Sequence, residues 1–213
     1  MRLLIVGDSF TYGEELNDLT NAWPNLLTHR VGCELTNLSR PGSGNTRMVR
    51  HCIEQVNNYD IAIIAWSHFA RTELSDENGF YDLWPGCNPL PHEEHSPWRK
   101  EIINYYSKHH NDDYLYRQYL LNIILIQNFF KANNKSYLML DSFGNHQYTD
   151  RRSTNTDLFA QIDSKFYVGW PDTTMMEWTY GVEIGPRGHF LEHGHKIVAD
   201  KIYKHMVDLT CLF

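Results

Sequence analysis

The chemistry open to this chain begins with a serine at the end of an apolar run. Leu3-Leu4-Ile5-Val6 leads directly into Gly7-Asp8-Ser9-Phe10-Thr11-Tyr12-Gly13. A run this short, ending in β-branched residues, reads as a buried parallel strand, and the Gly, Asp and Ser behind it read as a turn. In an open α/β sheet, ligands bind beyond the carboxyl ends of the strands, which is where Ser9 would stand. A serine so placed either caps the next helix or attacks a carbonyl. Attack needs a base to take and return the hydroxyl proton, and donors for the oxyanion that develops. The base should be a histidine on another loop of the same sheet edge. Near the C-terminus stands Gly188-His189-Phe190-Leu191-Glu192-His193-Gly194-His195, ahead of a closing helix.

The elements that must position these groups alternate along the chain. Thr20 to Arg30, through Trp23, Leu26 and Leu27, forms a first helix that Asn21 can cap, with Pro24 in its first turn. Glu34 to Leu38 is a second strand, ending in the breaker-rich loop Ser39-Arg40-Pro41-Gly42-Ser43-Gly44-Asn45. Thr46 to Val56 carries Met48, Val49, Cys52, Ile53 and Val56 at helical spacing, and Asp60 to Trp66 is the clearest buried strand. Strand, helix, strand, helix, strand predicts a parallel sheet with helices on both faces. Right-handed crossovers then bring the loops after Val6, Leu38 and Trp66 to one edge. Those loops carry Ser9, Gly42 with Gly44, and Ser67 with His68.

Further on, Tyr114 to Ala132 reads as a long helix, Ser136 to Leu140 as a strand ending at Asp141, and Leu191 to Leu209 as the last helix. A short strand fits near Lys165 to Val168, within an otherwise irregular stretch 142–185. Between Thr72 and Asp113 the periodicity fades among Pro85, Pro89, Pro91 and Pro97, with a short helix possible around Trp98 to Ser107. That span is too long for a plain connection, so 72–113 is expected to be an irregular insertion or lid. The whole chain, 1–213, reads as one domain: 213 residues suit a single α/β unit, and no repeat or linker divides them.

Composition removes several classes of function. A net charge of −7 argues against nucleic-acid binding, which draws its affinity from Lys and Arg. No apolar run reaches the length of a membrane span, and the first residues show no cleavage-site pattern, so a cytoplasmic location is expected. Cys33, Cys52, Cys87 and Cys211 lack CxxC spacing and read as free thiols. His92 with His95, His109 with His110, and His193 with His195 are poor metal sets, the first pair lying between prolines with no third ligand evident. Gly42-Ser43-Gly44-Asn45 lacks the lysine of a phosphate-binding loop. Arg71 either pairs with Glu73 on the surface or holds an acidic substrate. The aromatic residues from Trp84 to Trp98 either floor a sugar or acyl pocket or anchor the insertion.

Gly7-Asp8-Ser9, Gly42 after the second strand, and His189 just ahead of Gly194-His195 and a final helix resemble the SGNH (GDSL-type) hydrolases. The order of these blocks spans nearly the whole chain. The resemblance implies a flavodoxin-like three-layer α/β/α sandwich around a central parallel sheet of about five strands. It implies a serine esterase acting through an acyl-Ser9 intermediate, with His189 as general base and His195 structural. The backbone N–H groups of Ser9 and Gly42 would line the oxyanion hole, and a small-molecule or glycan ester, or a lipid-type ester, would be the substrate. No metal or organic cofactor is implied. The variants Ser-Phe-Thr-Tyr-Gly and Trp66-Ser67 are similar to phage-encoded members.

Two blocks depart from the family pattern. The loop after the third strand, Ala65-Trp66-Ser67-His68-Phe69-Ala70-Arg71, has no Asn, so the remaining oxyanion donor is expected from His68, with Ser67 the other candidate. The acid expected three residues before the histidine is replaced by Pro186. The partner of His189 is then a backbone carbonyl, a water, or a distant acid such as Glu183 or Asp141. The departures leave open two other readings: a binding module that keeps the fold without its activity, and an acyltransferase using the same Ser-His pair.

Overall fold

The structure is a computed structural model, and it describes residues 1–77, 79–87, 97–145 and 149–209. Five strands form the central sheet: β1 (Arg2–Val6), β2 (Glu34–Asn37), β3 (Ile61–Trp66), β6 (Ser136–Asp141) and β7 (Tyr167–Val168). Their spatial order is β2-β1-β3-β6-β7 and every pairing is parallel, with Leu3 beside Leu35 on one flank and Ile61 on the other. This is the three-layer α/β architecture expected of the sequence.

Alternation along the strands sorts the core into two halves. Leu4, Val6, Ala62, Ile64 and Trp66 face the layer of α3 (Asn45–Glu54) and α5 (Asp112–Ala132), meeting Met48, Cys52, Tyr119, Ile123 and Phe130. Leu3, Ile5, Ile61, Ile63 and Leu138 face α2 (Trp23–Val31) and α9 (Glu192–Asp208), meeting Trp23, Leu27, Val198 and Ile202. All six residues of β3 are buried, as a strand covered on both faces requires.

The entry to α2 differs from expectation. Asn21 closes a short 3₁₀ turn (Leu19–Asn21), and α2 starts at Trp23 behind Ala22, which has no capping side chain. The orphan N–H of Trp23 instead donates to Nδ1 of buried His195, 3.1 Å away on α9.

The stretch 72–113 holds more regular structure than its sequence suggests. β4 (Thr72–Asp76) and β5 (Gly79–Leu83) form an antiparallel pair, and α4 spans Pro97–His109. Tertiary bonds hold the pair to α3: Glu73 bonds Arg47 and Arg50, its N–H donates to Thr46 Oγ1, and Gly44 N–H donates to Asp82 Oδ1 at 2.7 Å. Pro89, Pro91, His92 and His95 lie outside the described residues, as does Cys211. The described residues of 142–185 include the short helices α6 (Thr149–Ser153), α7 (Thr156–Phe159) and α8 (Met175–Trp178), beside β7.

Cys33 and Cys52 are free thiols. Among the described residues, no helix is long and apolar enough to cross a membrane, and no three His, Cys, Asp or Glu side chains are grouped to hold a metal ion.

Candidate active site

Ser9 opens α1 (Ser9–Tyr12), a single turn directly beyond β1. Asp8 caps this turn by accepting the Phe10 N–H at 3.1 Å, and Gly13 closes it. Asp8 is fully buried; burial pushes its carboxyl pKa up, against the pull of Arg71 and of its hydrogen bonds. Its Oδ1 also accepts the Ser142 hydroxyl, tying the serine turn to the end of β6. The Ser9 side chain therefore leaves a turn fixed at both ends.

His189 lies 180 residues away, on the loop that enters α9. Its ring meets Ser9: the Oγ–Nε2 distance is 2.8 Å. The Phe10 ring packs against the imidazole with centroids 4.8 Å apart, and Phe190 packs against Phe10 in turn. The two ends of the chain are thus joined by one hydrogen bond with an apolar wedge beside it.

The other ring nitrogen has a partner that the sequence reading missed. His189 Nδ1 lies 2.8 Å from Glu15 Oε2. An ionised carboxylate can only accept, so Nδ1 carries the proton and Nε2 is left to accept from Ser9. Glu15 is held in turn by the loop that carries the histidine. The N–H groups of Arg187 and His189 donate to its two oxygens at 2.7 and 3.0 Å. Burial alone would raise the Glu15 carboxyl; these two N–H groups and the imidazole outweigh it and lower its pKa below the ordinary value.

Two backbone features make room for that carboxylate. Glu15 has φ +75°, in the left-handed region that costs a non-glycine residue about 1–2 kcal/mol. Gly185 begins the turn that carries Arg187, and a Cβ there would lie 2.7 Å from the Glu15 carboxyl carbon. Glu14 stands on the other side of the ring: its Oε2 is 3.6 Å from His189 Nε2, and its Oε1 bonds the Arg187 guanidinium.

Neither distant acid named from the sequence takes this place. Asp141, at the end of β6, is buried and accepts hydrogen bonds from the Tyr119 hydroxyl and from Asn145 Nδ2. Glu183 is exposed, and its backbone carbonyl accepts the Leu191 N–H. The only signals that could have found Glu15 are the adjacent acids Glu14 and Glu15 behind the serine turn, and the vacancy for an acid marked by Pro186.

The expected oxyanion donors also sit at this edge. Gly42 has φ +77°, and a Cβ on it would lie 2.9 Å from the Trp84 ring, so the position excludes larger residues twice over. Among the described residues, neither the Ser9 N–H nor the Gly42 N–H is taken by a protein acceptor. The loop after β3 is fastened by two buried asparagines. Asn45 accepts the Ser67 N–H and donates to the His68 carbonyl. Asn145 accepts the Phe69 N–H and donates to the Ser67 carbonyl. His68 Nδ1 accepts the Ala70 N–H at 3.2 Å, which places the ring proton on Nε2. Burial and the nearby Arg71 push the His68 pKa down to about 4, so the ring is neutral at pH 7. The Ser67 side-chain hydroxyl is buried.

A groove of about 440 Å³ lined by Phe10, Met176, Tyr180, Val182, Ile184 and Phe190 adjoins the His189 loop.

The three-layer fold is that of the GDSL (SGNH) hydrolases. The chain is similar to TesA, with a TM-score of 0.61 at 13% identity over 98% of this chain and 99% of that one. It is similar to the psychrotrophic esterase EstA from Pseudoalteromonas sp., with a TM-score of 0.58 at 12% identity over 98% of each chain. A carbohydrate esterase family 2 enzyme from Corynascus thermopiles gives a TM-score of 0.56 at 14% identity, over 98% of this chain and 66% of that one. No curated protein sequence matches the chain. Residues 11–212 match the model of a family of unknown function, DUF6071, and the chain belongs to that family.

Proposed function

We propose that the chain is a serine esterase in which Ser9 attacks an ester carbonyl. The observation that carries this reading is the continuous hydrogen-bonded series from Ser9 Oγ through His189 to Glu15, both links being 2.8 Å. His189 takes the hydroxyl proton on Nε2 as the C–O bond forms, and returns it to the leaving alcohol when the tetrahedral adduct collapses. Glu15 keeps Nδ1 protonated and stabilises the imidazolium, the part an acid plays in such a triad. The Ser9 and Gly42 N–H groups, with His68 Nε2–H, donate to the oxyanion. Water then attacks the acyl-Ser9 ester by the same route in reverse. The substrate class we favour is a small acyl group on a carbohydrate, or a lipid-type ester. The esterases that share the fold support the class, and the apolar groove beside Phe10 could take the uncharged part of either substrate.

The test is turnover of 4-nitrophenyl acetate together with labelling by a fluorophosphonate. Wild type should do both and Ser9→Ala neither. Equal labelling of the two proteins would remove Ser9 as the nucleophile. Release of an acylated alcohol when an acceptor is supplied would move the assignment from hydrolysis to acyl transfer.

A further inference from the structure

Arg71 follows the loop after β3, two residues ahead of Glu73. The pairing that this spacing invites does not form, because Glu73 is engaged by Arg47 and Arg50 of α3. The Arg71 guanidinium turns instead to the edge that carries Ser9. It lies 5.3 Å from the Trp84 ring centroid and 5.1 Å from that of Phe143. Among the described residues it faces Asp8 Oδ2, 3.9 Å from NH1, on the residue just before Ser9. That separation is an ion pair but too long for a hydrogen bond.

The guanidinium is therefore short of acceptors. Its side chain is 18% exposed, NH1 is buried, and no described residue accepts a hydrogen bond from it. A guanidinium carries five donors in a planar fork, and leaving buried donors unmet is costly. The Asp8 carboxylate cannot discharge this need, since its Oδ1 serves Phe10 N–H and the Ser142 hydroxyl while Oδ2 stays beyond reach. The fork is also placed close to the candidate chemistry. Trp84, on which it rests, packs over the Gly42 position, and Phe143 meets Phe10, which meets the His189 ring. Aromatic faces and a planar fork are a recognised way to hold a carboxylate or phosphate in one orientation.

We propose that Arg71 is a specificity-determining residue that binds an anionic group, a carboxylate or a phosphate, on the ester substrate. This rests on Ser9 and His189 acting as proposed above. The anion can belong to the acyl part or to the leaving alcohol, and two substrate pairs separate these sources. For the acyl part, 4-nitrophenyl hemisuccinate is compared with 4-nitrophenyl butyrate. For the alcohol part, 4-carboxyphenyl acetate is compared with 4-carbamoylphenyl acetate.

In one of the two pairs wild type should favour the charged ester in kcat/KM by about 10- to 100-fold, the range of a charge-assisted hydrogen-bonded contact. Arg71→Gln should abolish that preference while neutral-ester rates stay within about threefold. Arg71→Lys, which keeps the charge beside Asp8 but loses the fork, should show a reduced preference. An equal loss on charged and neutral esters in both variants would assign Arg71 to holding Asp8 and overturn the proposal. Hydrolysis of both pairs by wild type without any preference would overturn it as well. A separate readout stands apart from turnover: succinate should raise the Tm of wild type and not of Arg71→Gln. If succinate stabilises only wild type while no ester is hydrolysed, the esterase reading fails and the anion site stands; if esters are hydrolysed without preference and succinate gives no shift, the reverse holds.

Discussion

The two regions where this chain departs from the GDSL pattern have been rebuilt in different ways. At the histidine, the acid that should precede it is replaced by Pro186, and a carboxylate arrives from the serine's own segment. The loop after β3 has no Asn, and the His68 imidazole is proposed to take its part; two asparagines from neighbouring segments fasten the loop backbone. The first change keeps the chemical group and moves its place in the chain. On the proposed reading, the second keeps the place and changes the group. A relocated carboxylate can do the original work in full if its geometry is right, because orientation and charge are all that is asked of it. A substituted donor differs in reach and in proton chemistry, so its contribution must be argued from tautomer and pKa.

This difference orders the outcomes. The largest effect is expected at the relocated acid. Glu15→Gln removes the charge that faces the imidazolium and allows the wrong ring tautomer, so kcat should fall by about 10⁴-fold, as when an orienting acid is neutralised in other triads. Substrate binding should change little. A loss of tenfold or less would mean that Glu14, 3.6 Å from Nε2, can take over the charge, and the comparison would then favour redundancy over relocation.

His68→Ala should cost less, about 10²–10³-fold in kcat, the range for one missing oxyanion donor. Because the His68 pKa is pushed down to about 4, no inflection from this ring should appear in the pH–rate profile between pH 5 and 8. Retention of full activity in His68→Ala would leave the Ser9 and Gly42 N–H groups as sufficient donors, and the second region would be a loss rather than a substitution.

How much of this was readable in the sequence follows from the same contrast. The sheet was legible because a parallel strand covered on both faces must be a continuous apolar run, as in Ile61–Trp66. Ser9, Gly42 and His189 could be assigned to one edge of the sheet because each sits at a strand end or helix entry whose local chemistry marks it. The placing of Glu15 could not be read in this way, since it is created by a turn 172 to 174 residues away whose N–H groups receive it. The β4–β5 pair was hidden for a similar reason. Thr72–Asp76 and Gly79–Leu83 lack a clean apolar alternation, and they are held by polar bonds to α3 that no local pattern announces. Arg71 was misleading in the opposite sense: its neighbour in sequence, Glu73, is not its partner in space.

The smallest expected effect concerns a histidine outside the chemistry, and it separates catalytic from structural imidazoles at this end of the chain. His195 is buried against Phe190 and accepts the Trp23 N–H, which closes the entry of α2. Burial first, and the nearby His189 second, push its pKa down to about 3. Between about pH 3 and the ordinary histidine value near 6.5, the unfolded chain binds a proton that the folded chain refuses. Stability must therefore fall as the pH drops through this window, by up to about 1.4 kcal/mol per pH unit from this one residue. His68 contributes in the same direction down to about 4. In His195→Gln the side-chain carbonyl can still accept the Trp23 N–H, so at pH 7.5 the loss should stay within about 1–2 kcal/mol and kcat should change little. In urea unfolding between pH 5 and 7.5, the variant should show the flatter dependence, with its deficit shrinking as the solution is acidified. Parallel curves for the two proteins would mean that His195 takes up a proton as readily in the folded state as in the unfolded one. Its Nδ1 could then not be the acceptor that starts α2, and the division between a catalytic His189 and a structural His195 would have to be drawn elsewhere.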